Sequence, residues 1–148
     1  MRISAKGRYA LAAVISMAQQ YGSGECITVI SISEKLGISK IYLEQVFSLL
    51  KRGNVVSSVK GAQGGYMFTR MPSQISVYNV LFAVESTLFE ATEKTVGRKS
   101  PQTDAAMQSL VFSPLDEAVR TALESVSVED LVHEVNKHSA NQGMMFYI

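Results

Sequence analysis

Two short amphipathic periods meet at Leu36-Gly37-Ile38-Ser39, and this junction constrains the fold more than any other feature of the chain. Upstream, Thr28 is placed to cap a short helix over 29–35. Downstream, Ser39 is placed to cap a second helix over about 40–52, with Leu43, Val46, Phe47 and Leu50 on one face. Gly37 supplies the tight turn, and two short helices joined this way are a helix-turn-helix signature. The hydrophobic period then switches from helical to alternating. Residues 55–59 and 66–69 read as strands, with Lys60-Gly61-Ala62-Gln63-Gly64-Gly65 as a hairpin tip between them. A small β-wing therefore follows the helix pair directly.

Around this centre the chain reads as mainly α. Residues 4–21 carry Ala5, Tyr9, Ala12, Ala13, Ile15, Met17 and Ala18 at helical spacing, stopped by Gly22 and Gly24. Ser76 caps a helix over 77–85, and 86–103 is polar and weakly patterned. Residues 104–126 are helical again, with Pro114 either starting or kinking that helix. Ser127 and Asp130 resemble a capping box for a last helix to about Lys137. Asn141-Gln142-Gly143 reads as a polar hinge before the apolar ending at Phe146, Tyr147 and Ile148. The expected organisation is a winged helix-turn-helix domain over 1–85, a flexible loop over 86–103, and a long dimerisation helix with a C-terminal tail over 104–148.

Net charge is only +1, yet residues 1–70 hold nine basic and three acidic side chains, against five and ten in 71–148. A basic first half suits a polyanion, whether DNA, RNA or a membrane surface. No apolar run is long enough to span a bilayer, and no signal-peptide cleavage pattern follows the N-terminus. With one cysteine, Cys26, no internal disulfide is possible, and a cytoplasmic location is expected. The glycine-rich tip is neither a dinucleotide fingerprint nor a P-loop, and no nucleophile–base set is present, so no enzyme is expected.

The second helix offers what a major-groove reader needs at its N-terminal end. Ser39, Lys40, Tyr42, Glu44 and Gln45 cluster there; Gln can pair bidentately with adenine and Glu can accept from cytosine. At the wing, Lys60, Gly61 and Gln63 are placed for the minor groove. Arg2, Ser4, Lys6 and Arg8 are placed around the first helix for the DNA backbone. The stripe Leu115, Val119, Ala122 and Leu123 has too little partner surface in one small domain and predicts a two-fold dimer. Cys26 is either a buried, inert thiol or a redox switch beside the DNA-binding head.

Lys6-Gly7-Arg8-Tyr9, Tyr42-Leu43-Glu44-Gln45 and Lys60-Gly61 with Gly64-Gly65-Tyr66, in that order, resemble the Rrf2 family of bacterial winged-helix regulators. The resemblance covers about residues 1–86 well and the remainder by architecture. It implies a homodimer whose recognition helices and wings read a palindrome of double-stranded DNA. Cluster-binding members carry three cysteines in the loop before the long helix; here residues 86–103 hold none. No iron–sulfur cluster, metal or other cofactor is therefore expected. The cluster-free branch includes the cysteine-metabolism repressor of Gram-positive bacteria, whose ending resembles Phe146-Tyr147-Ile148 and which partners with cysteine synthase. The tail accordingly either packs on its own dimer or docks into an enzyme pocket through the Ile148 carboxylate.

Overall fold

The structure, a computed structural model, describes residues 2–62 and 64–146. Helix α1 spans Ala5–Gln19 and is capped by Ser4, whose hydroxyl accepts from the Gly7 N–H at 3.1 Å. Helix α2 spans Val29–Leu36, and the Thr28 hydroxyl accepts from the Ser31 N–H as the cap predicts. Gly37 ends it at φ 68, a left-handed conformation that glycine adopts without strain. The Ser33 hydroxyl then donates to the Ile38 carbonyl at 2.6 Å and ties the turn down. Helix α3 spans Lys40–Arg52 and buries Leu43, Val46, Phe47 and Leu50. Ser39 occupies the expected cap position, but its hydroxyl makes no capping bond.

Strands β1 (Val56–Val59) and β2 (Gly65–Phe68) pair antiparallel, with Val56 opposite Phe68 and Val59 opposite Gly65. Ile27 adds a short rung to this hairpin: it exchanges two backbone bonds with Tyr66, of 3.0 and 2.8 Å. The root of the wing is thus stitched to the connection between α1 and α2. Helix α4 spans Val77–Val84 behind a full capping box of Ser76 and Asn79.

The later segments depart from expectation in three places. The polar connection is irregular only to Ser100, because α5 begins at Pro101. Proline suits a first helical position, where no N–H partner is needed. Helix α5 (Pro101–Met107) passes through a π-helical turn at Gln108–Phe112 into α6 (Ser113–Glu124). Pro114 lies in the first turn of α6, directly after the widened turn, a place where its missing N–H and its ring are accommodated. Helix α7 spans Val128–Phe146, well past Lys137. Asn141, Gln142 and Gly143 are helical within it, so the expected hinge is absent. The Ser127–Asp130 capping box is present, with bonds of 2.9 and 3.0 Å.

One core unites the head with the start of α7. Val14, Ile32, Phe47, Leu50, Val55, Ile75, Val80 and Val128 are all buried together. Full burial of each large apolar side chain is worth roughly 1.5–3 kcal/mol. The Val77 N–H donates to the Val126 carbonyl and the Val128 N–H to the Ile75 carbonyl, both at 2.8 Å. The chain after α6 therefore returns to the head instead of leaving it. No helix among the described residues is long and apolar enough to cross a membrane.

Candidate nucleic-acid interface

Helix α3 turns two opposite faces to two different environments. Leu43, Val46, Phe47 and Leu50 are buried, while Lys40, Ile41, Glu44, Gln45 and Ser48 are exposed. Ile41, Glu44, Gln45 and Ser48 follow the i, i+3, i+4, i+7 spacing of one helical face. Lys40 lies 3.7 Å from Glu44, an i,i+4 ion pair on the surface. Such a pair is worth a few tenths of a kcal/mol, which biases the Glu44 rotamer without locking it.

Tyr42 is not on that face. It is half-buried, and its ring meets Tyr9 edge-on at 5.2 Å, which fixes α3 against α1. Of the cluster expected at the start of α3, Lys40, Glu44 and Gln45 point outward together, with exposed Ser39 just ahead of them. Ile41 and Ser48 share their face and were not among the residues singled out from sequence. Their signal was available in the helical spacing from Glu44 and Gln45.

At the N-terminus, Arg2, Ser4 and Arg8 are exposed and Lys6 is half-buried. The Arg8 guanidinium donates to the Ile3 carbonyl at 2.8 Å, which holds this arm against α1. The Ser4 hydroxyl is engaged twice, accepting from Gly7 and donating to Glu85 Oε1 at 2.7 Å. In the wing, Lys60 and Gly61 are exposed at the tip, and the Gly64 N–H closes the turn on the Gly61 carbonyl at 3.0 Å. Gln63 lies outside the described residues.

The expected dimer stripe divides on the structure. Val119 and Leu123 are half-buried, with Val119 lining a cavity shared with Tyr78 and Phe82 of α4. Arg120 completes that contact, its guanidinium carbon 5.6 Å from the Tyr78 ring centroid. Leu115 and Ala122 remain exposed, in line with Val111 and Ala118. The uncovered apolar stripe is therefore Val111, Leu115, Ala118 and Ala122, at spacings of four, three and four. Leu110, beside it, is 79% exposed.

The family model for Rrf2, described as an iron-dependent transcriptional regulator, matches residues 3–134. The chain belongs to the Rrf2 family. It is 38% identical over 134 residues to the HTH-type transcriptional regulator IscR of Photorhabdus laumondii, spanning 90% of this chain and 80% of that one. A solved structure of T. potens IscR superposes with a TM-score of 0.73 at 29% identity, covering 99% of this chain and 97% of that one. The structure of CymR, the global cysteine regulator of B. subtilis, superposes at 0.70, also at 29% identity, covering 90% and 98%. The mostly helical fold with its two-stranded wing is the fold of these regulators. This Rrf2 protein is accordingly a DNA-binding transcriptional regulator and not an enzyme.

The side chains of this Rrf2 member do not fit an iron–sulfur cluster. Such clusters are held by several thiolates or imidazoles, and the chain has one cysteine. Residues 86–100, the irregular connection, contain neither cysteine nor histidine. Among the described residues no three His, Cys, Asp or Glu side chains gather where they could hold a metal ion. Cys26 itself is half-buried next to Ile27, whose backbone pairs with the wing. Phe146 is the last residue described in α7; Tyr147 and Ile148 lie outside the described residues.

Proposed function

We propose that this Rrf2 protein is a homodimeric cytoplasmic repressor that reads a palindromic operator and works without an iron–sulfur cluster. The observation that carries the reading is the outward face of α3, where Glu44 and Gln45 stand exposed with Lys40, followed in the chain by a wing whose turn carries exposed Lys60. In this reading Glu44 and Gln45 meet base edges, while Ser39 and Lys40 meet adjacent phosphates. Lys60 and Gly61, with Gln63, enter the minor groove, and Arg2, Ser4, Lys6 and Arg8 lie along the backbone. The homodimer rests on α6, whose stripe of Val111, Leu115, Ala118 and Ala122 stays exposed among the described residues, Leu115 at the rim of the cavity against α4. The absence of a cluster rests on the side-chain inventory: one thiol in the whole chain.

The test is enrichment of duplexes from a randomised library by the purified protein, with and without an iron chelator. A palindromic consensus recovered equally in both arms is expected. A consensus recovered only without chelator would show a metal-dependent regulator. Glu44→Ala and Gln45→Ala are expected to relax one base pair each, by about 1–3 kcal/mol. Lys60→Ala is expected to weaken all duplexes and to flatten the salt slope by about one ion.

The similarity to CymR, the global cysteine regulator of B. subtilis, favours cysteine metabolism as the regulon. Cysteine synthase as a protein partner rests on the resemblance carried by the Phe146-Tyr147-Ile148 ending alone. Docking would use the Phe146-Tyr147-Ile148 ending, whose last two residues lie outside the described residues. Removing Tyr147 and Ile148 is expected to abolish cysteine synthase binding and to spare the dimer. A truncated protein that becomes monomeric would assign the ending to the dimer interface instead.

A further inference from the structure

Ile41 is the one large apolar side chain on the outward face of α3, and it is 71% exposed. No other large apolar side chain described in the first 85 residues is as exposed. It lies nine residues from buried Leu50, roughly 180° around the helix, and so points directly away from the core. Glu44, Gln45, Ser48 and the edge of Leu49 surround it in a shallow surface hollow. Leaving such a side chain in water forgoes the favourable burial of its apolar surface.

We propose that Ile41 reads the C5-methyl group of a thymine in each operator half-site. The inference rests on the placement of α3 in the major groove described above. In that groove this methyl is the one projecting apolar group, and the other groups that distinguish the base pairs are hydrogen-bond donors or acceptors. Glu44 and Gln45, the i+3 and i+4 neighbours of Ile41, can satisfy polar edges on the adjoining base pairs. The branched Cβ of an isoleucine in a helix leaves essentially one χ1 rotamer, so little side-chain freedom is lost on contact. A second copy of the chain is the weaker occupant. The apolar stripe suited to self-association lies on α6, whereas the hollow around Ile41 is lined by Glu44, Gln45 and Ser48 with Leu49 its one other apolar residue.

The test starts from the palindrome enriched from an unmethylated library. Each thymine of the half-site is replaced in turn by deoxyuridine, which removes only the methyl group. At one position the wild type is expected to lose about fourfold in affinity per half-site, the equivalent of one buried methyl. Ile41→Ala is expected to bind the thymine and deoxyuridine duplexes equally, at about the wild-type affinity for deoxyuridine. Ile41 is exposed, so the variant should match the wild type in circular dichroism and melting temperature, and it should stay a dimer. Wild-type binding indifferent to every deoxyuridine overturns the proposal while leaving DNA reading by α3 intact. So does an Ile41→Ala protein that keeps the full deoxyuridine penalty, or one that changes oligomeric state. Failure to enrich any duplex would overturn the DNA reading itself, and this inference with it.

Discussion

Ser4 and Glu85 are joined by two hydrogen bonds across 81 residues of sequence: Glu85 Oε1 accepts from the Ser4 N–H at 3.0 Å and from its hydroxyl at 2.7 Å. The carboxylate therefore sits on the N-terminus of α1, where the helix dipole favours negative charge. Glu85 is also the residue that follows α4 and opens the connection towards α5. One side chain thus ties the start of the N-terminal helix to the end of the winged head.

Gly7 is what allows that approach. A Cβ there would stand 2.2 Å from Glu85 Oε1 and 2.7 Å from Ile3 Cγ2. Gly→Ala inside an exposed helix normally stabilises by about 1 kcal/mol. Gly7→Ala is expected to do the reverse, destabilising by about 1–3 kcal/mol through overpacking. Combining it with Glu85→Ala should recover part of the loss, because the two effects share one contact. Urea denaturation of the four proteins checks this; strictly additive effects would show that the carboxylate yields freely.

The capping box of α7 sets an acid-range prediction. The Ser127 backbone N–H and hydroxyl both bond to Asp130 and hold its carboxyl below the usual carboxylate range. A depressed folded-state pKa contributes stability above the unfolded value, and that contribution disappears as pH falls through the folded value. Asp130→Asn should therefore show a smaller drop in melting temperature across the acid range than the wild type. Equal drops in the two proteins would show that the box adds no pH-dependent stability.

The divided stripe on α6 separates two phenotypes. Leu115 is 54% exposed, so Leu115→Glu should leave the monomer folded and prevent dimerisation. Val119 is half-buried against α4, so Val119→Glu should lower the melting temperature as well. Sedimentation at micromolar concentration, read beside thermal melts, distinguishes them. A Leu115→Glu protein that remains dimeric would move the interface elsewhere.

Cys26 flanks the rung that Ile27 makes with the wing, so a change at its sulfur can reach Tyr66 through two backbone bonds. If it is a redox switch, peroxide should weaken DNA binding of the wild type and spare Cys26→Ser. Unchanged affinity in the wild type would leave Cys26 as a packing thiol.

Much of this fold was legible because it depends on residues within a few positions of one another. The caps at Thr28, Ser76 and Ser127, the turn at Gly37 and the switch to alternating strands are local devices. The outward set of Glu44 and Gln45 followed from the period of α3, and Ile41 could have been found the same way. Other features depend on neighbours that are distant in sequence. Whether Tyr42 faces DNA or Tyr9 is decided by the packing of α1 on α3. Which half of the α6 stripe stays free is decided by α4, through Val119 and through the Tyr78–Arg120 contact. The hinge expected at Asn141–Gly143 was read from composition, whereas α7 continues through it from a start anchored in the core at Val128. Residue type and spacing determined the elements and the candidate face of this protein. The tertiary structure alone decided which of those side chains are consumed by internal packing, because burial is a property of the assembled surfaces and not of any single segment.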